Sequence, residues 1–145
     1  MIAERSTGEG ASVGPLPVAW RRGETSGVFL APGVAQGAAP AATLRVFHAL
    51  GPDTRYLLDR FDANEVGPLG RPHRRGLPDH LADGVSLLSF DESPEGDLSA
   101  RIVLLRRAWG LDITLTARSV PIETVPDLYT AMLDLLSTVR ATREK

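Results

Sequence analysis

Between residues 70 and 80 the chain reads GRPHRRGLPDH, which sets Arg71, His73, Arg74, Arg75, Asp79 and His80 among glycines and prolines. These are residue types that chemistry uses. Guanidinium groups bind carboxylates and phosphates through paired donors, so Arg71, Arg74 and Arg75 would form an anion site if the loop bends them together. His73, Asp79 and His80 offer two imidazoles and a carboxylate to a metal, but their spacing matches no established ligand motif, and no metal or cofactor is expected. The simpler reading is a solvated basic loop, offset by Asp79, Asp83 and the acidic DESPEGD at 91–97, that touches an acidic partner protein.

The remaining candidates are weaker. His48 lies on the apolar side of an alternating segment and reads as a hydrogen-bonded core or core-edge histidine. Ser89 and Ser99 would need His48 or His80 as a base and a third group to orient it, and the chain has no GxSxG elbow. Asp91 with Glu92, and Glu95 with Asp97, are carboxylate pairs in a turn with no apolar pocket to split their pKa values, which suits a solubilising role. GEGASVG and GETSG lack the P-loop lysine and its strand-to-helix setting. No catalytic residue is therefore assigned. Trp20 and Trp109 flank strands or turns, where an indole packs at a core edge or anchors a partner.

The elements that must position these groups follow from patterning. At 145 residues, with 43% hydrophobic and 23% charged residues, the chain is long and apolar enough for one folded core. Residues 1–14 are polar and read as a flexible arm, 15–141 as a single domain, and 142–145 as a tail. A net charge of −2 disfavours nucleic acid as a partner, and the absence of cysteine excludes disulfides and thiolate sites. Lys145 is the single lysine among 16 basic residues, a compositional bias of the kind a GC-rich bacterial genome imposes. No apolar run suits a signal peptide or an integral membrane segment, so the chain reads as cytoplasmic.

Residues 18–20 and 27–30 predict a hairpin around RRGETSG, with Pro15 and Pro17 suiting an edge strand. Residues 31–42 read as a small-residue loop. Residues 43–50 alternate, with Leu44, Val46, His48 and Leu50 on one face. A helix is expected over 53–66, capped by Asp53 and stopped by Gly67, followed by an irregular connection to Gly84. Residues 85–90 read as a strand. From Leu98, Ala100, Ile102 and Leu104 alternate with a second apolar set, Val103 and Leu105, which marks a central strand covered on both sides. Its hairpin partner, with Leu111, Ile113, Leu115 and Ala117 on one face, follows a turn at 108–110. Thr124 and Asp127 have capping-box spacing, and Val125, Leu128, Met132, Leu135 and Val139 form a helical stripe widened by Tyr129 and Leu136.

Read together, the two ends resemble the PsbP-like superfamily, the PsbP/DcrB/LpqN-like α/β sandwich. SVGPLPVAW at 12–20 resembles that group's opening, with GVFLAP and ATLRVFHAL after it. ARIVLLRRAWGLDITLTARSV and ETVPDLYTAMLDLLSTVR resemble its closing hairpin and helix. Val18 and Ala19 stand where a glycine before the tryptophan is usual, and residues 67–84 have no counterpart. The fold class expected is α+β, an antiparallel sheet of about five to seven strands with helices packed on its faces. The resemblance implies a non-catalytic protein-interaction module, an adaptor or chaperone of a secretion or membrane-associated assembly. The alternative is a small-molecule or lipid binder with a pocket between sheet and loops. An edge strand near Val18, or an exposed tryptophan, leaves a homodimer open.

Overall fold

The computed structural model describes residues 10–17, 19–32, 41–49, 72–81 and 83–141. Strands run at β1 (Ala11–Val13), β2 (Arg21–Arg22), β3 (Val28–Leu30), β4 (Ala41–His48), β5 (His73–Gly76), β6 (Gly84–Glu92), β7 (Leu98–Ala108), β8 (Leu111–Pro121) and β9 (Val139–Ala141). The helix α1 spans Val125–Ser137, and short 3-10 turns occupy Asp79–Leu81 and Ile122–Thr124. Among the described residues seven strands form one sheet in the order β2-β3-β4-β8-β7-β6-β5, and β1 and β9 form a separate pair. All pairings are antiparallel. The fold is α+β, with strands dominating.

The alternation in β7 and β8 dictates the core. Ile102, Leu104, Ile113, Leu115 and Ala117 share the face on which α1 lies, and they pack with Leu128, Met132, Leu135 and Leu136. Burying each such leucine or isoleucine contributes about 1.5–3 kcal/mol. Leu87, Val103 and Leu105 are buried in a second cluster on the opposite face, so β7 is covered on both sides as its sequence predicts. The turn at 108–110 is also as expected. Trp109 (φ 56°) and Gly110 (φ 73°) are both left-handed, the backbone of the tight hairpin turn that matches strand twist.

Several expectations are corrected. Among the described residues there is one α-helix, and it covers one face only; the helix expected at 53–66 lies outside the described residues. The connection 67–84 contains the strand β5 and a 3-10 turn. The described end of the expected arm is likewise ordered: Ala11–Val13 pairs with Val139–Ala141, and Gly14 N–H donates to the Thr138 carbonyl at 3.0 Å. Val139 therefore belongs to a strand, not to the helical stripe. In the front hairpin Ala19 sits in a left-handed turn (φ 72°), the strand starts at Arg21, and Val18 lies outside the described residues. The Thr124 hydroxyl donates to the Pro121 carbonyl at 2.8 Å rather than capping α1, so the capping box is not formed.

Candidate functional site

HRRG carries no apolar alternation, yet it forms a strand because β6 offers it an edge. His73 pairs with Leu88, Arg74 with Leu87, Arg75 with Ser86 and Gly76 with Val85. Leu77 N–H continues the ladder onto the Gly84 carbonyl at 3.1 Å. Gly84 makes that approach available: a Cβ there would lie 2.5 Å from Leu77 Cδ1 and 2.7 Å from the Leu81 carbonyl. Cross-strand partners share a face, so Arg75 and His73 lie on the side of Ser86 and Leu88, which is the α1 side. Arg74, opposite Leu87, points to the other face while still bordering the site.

The result is a cleft of about 590 Å³ with β5 and β6 as one wall and the first turns of α1 as the other. His73, Arg74 and Arg75 meet Ser86, Leu88, Val125, Pro126, Tyr129 and Thr130 there, and no carboxylate lines it among the described residues. Tyr129 Oη donates to Ser86 Oγ at 3.2 Å, and Ser86 Oγ donates in turn to the Arg75 carbonyl at 3.2 Å. This relay ties the helix to the edge strand through a nearly buried hydroxyl. The His73 ring meets Phe90 edge to face at 6.3 Å. Chemically, the cleft joins cationic and N–H donors on one rim to an apolar floor.

The 70–80 cluster does not converge as a whole. His73 stands beside the first half of α1. His80 Nε2 lies 3.0 Å from Oγ of Ser137 at the far end of the helix. Eight residues separate Tyr129 from Ser137, about 12 Å of helix rise, so His73, Asp79 and His80 do not share one ion. The Ser137 hydroxyl gives its proton to the Leu133 carbonyl at 2.8 Å, so His80 Nε2 is the donor in that contact, the wrong polarity for a general base. His48, the last residue of β4, is exposed and not a core histidine. Arg71 lies outside the described residues.

The other candidates separate too. Trp20 is buried in the main core, whereas Trp109 is 49% exposed at the hairpin tip, with the Arg106 guanidinium 5.3 Å from its ring centre. Burial first, and the neighbouring Arg140 second, hold the Arg106 pKa below its ordinary value, while Asp83 acts the other way. Asp91 pairs with Arg101 at 3.1 Å, and Ser93 Oγ accepts the Glu95 and Asp97 amides, so the acidic turn is a local structural device. Sequence reasoning missed Ser86, and it placed Tyr129 only as the margin of a helical stripe; that margin was the available signal for a side chain at the helix–sheet edge.

Comparison with known proteins agrees at the level of fold. A protein of Bacteroides thetaiotaomicron VPI-5482 superposes with a TM-score of 0.54 at 10% identity, over 94% of this chain and 49% of its own, so the present chain spans about half of that protein. LpqN of Mycobacterium tuberculosis, involved in cell envelope biogenesis, superposes with a TM-score of 0.54 at 17% identity, over 92% of this chain and 83% of its own. The chain therefore has an LpqN-like α+β fold, which agrees with that part of the resemblance read from the sequence. No protein-family model and no curated protein matches it. No helix among the described residues is long and apolar enough to cross a membrane.

Proposed function

We propose that the chain is a non-catalytic protein-interaction module of a membrane-associated assembly, with the β5–α1 cleft as its docking surface. The observation that carries this reading is the pairing of an exposed basic strand with an apolar helical flank in one cleft. Interfaces favour this combination: arginine and aromatic side chains contribute most of the binding energy, and an apolar floor excludes water around them. The envelope role of LpqN supports the membrane-associated part of the reading. A second reading, a small-molecule or lipid binder, draws on the same apolar floor of Leu88, Val125 and Tyr129.

Site-specific photo-crosslinking in the native cell tests the proposal. A benzophenone side chain at position 75 is expected to give a discrete protein adduct in the membrane fraction. Thr25, exposed in the turn joining β2 to β3, is the control position, because six strand spacings of ~4.8 Å separate β2 from β5. Equal yields at positions 75 and 25, or adducts only with lipid, would end the interaction reading and leave the binder.

A further inference from the structure

We infer that the partner presents an acidic extended segment, which adds as a strand to the open edge of β5 and places its carboxylates against Arg75 and His73. This inference rests on the docking reading above and specifies its chemistry. Three observations converge on it.

The first is the ladder phase. Leu77 N–H bonds the Gly84 carbonyl, so the hydrogen-bonded pairs are 77 with 84, 75 with 86 and 73 with 88. The main-chain groups of Gly76 then point away from β6, toward the side where, among the described residues, the sheet ends. A side chain built at Gly76 would meet nothing within 4 Å, so the strand is uncrowded on the face opposite α1 at that point. Edge strands with an outward donor and acceptor are templates for strand addition.

The second is spacing. Arg75 and His73 are two residues apart on the α1 face, about 6.6–6.8 Å along the strand. An added strand has the same side-chain repeat, so acidic residues at alternate positions would stand directly opposite both. The third is the charge and shape of the cleft. His73 and Arg75 line it, no carboxylate does among the described residues, and Leu88, Val125 and Tyr129 supply an apolar floor for the next residue on that face of the incoming strand. A basic or neutral segment would forfeit the guanidinium, whereas an acidic one gains a charge-assisted bond in a partly enclosed site.

The probe is a fluorescein-labelled peptide containing Asp-Thr-Asp-Thr-Leu, compared with its Lys-Thr-Lys-Thr-Leu counterpart by fluorescence anisotropy on the full chain. Saturable binding of the acidic peptide alone is expected. Arg75→Glu should weaken it at least about tenfold, since like charges opposed across an interface are strongly unfavourable. Gly76→Pro should also weaken it, because proline removes the outward N–H while an edge strand tolerates the residue. Arg118→Glu, at an exposed site on β8, should leave binding unchanged, and thermal melts of all variants report folding. Equal binding of both peptides, or acidic-peptide binding that survives Arg75→Glu or Gly76→Pro, would overturn the inference. A position-75 protein adduct that excess acidic peptide fails to compete would keep the docking reading and end this one.

Discussion

Asp112 shows how a single residue can mislead a patterning argument. In the alternation of β8 it belongs to the face opposite Leu111 and Ile113, where a carboxylate would normally meet water. In the fold it is fully buried, and the Arg107 guanidinium grips it at 2.7 and 2.9 Å. The alternation of β8 taken alone does not reveal this; the signal lies in its neighbour, where Val103 and Leu105 mark the same face of the sheet as covered. Removing the carboxylate takes both of these charge-assisted bonds from a largely buried guanidinium. Asp112→Ala should therefore lower unfolding stability by about 3–5 kcal/mol in urea titrations. A loss under about 1 kcal/mol would mean that Arg107 regains water easily. Two glycines make an independent residue-scale contrast: Gly84→Ala meets the fixed Leu81 carbonyl and should cost about 1–3 kcal/mol. Gly76→Ala meets open space and should leave stability unchanged or slightly raised.

Legibility of the elements scaled with their length. β7, β8 and α1 carry enough turns or alternations for period to declare itself, and each is found within a few residues of its expected span. Three-residue strands such as β1 and β9 cannot show a period, and partners near opposite ends of the chain have no local signature. The basic strand β5 hides for a related reason: its residues are hydrophilic, and only the edge of β6 makes them a strand. Of the candidate site, the sequence therefore showed the basic residues but not the wall facing them, since Val125 and Tyr129 reach the cleft through tertiary packing alone. The β1–β9 clip gives an element-scale prediction. Val13 and Val139 are buried, and burying a valine contributes about 1.5–3 kcal/mol, so deletion of residues 1–14 should lower the thermal midpoint measurably. An unchanged midpoint would show that the clip stabilises nothing.

At the scale of the whole molecule, order in the sheet runs from the middle outward. The central strands β8 and β7 are flanked on both sides and hold the buried side chains common to the core, whereas β2 and β5 end the sheet among the described residues and expose every residue they contain. Local opening free energies follow such gradients, because an edge strand breaks one ladder and few apolar contacts when it lifts. Hydrogen exchange should show the amides of Ile102–Leu105 and Ile113–Ala117 exchanging only through global unfolding, with the Gly76 amide exchanging orders of magnitude faster. The docking proposal depends on this asymmetry, since a strand can add only where the last ladder is open. Saturating acidic peptide should slow exchange at Gly76 while leaving the β7 and β8 amides unaffected. A Gly76 amide as protected in the free protein as those of β7 would mean that the edge is already closed, and the sheet would have no place for a partner strand.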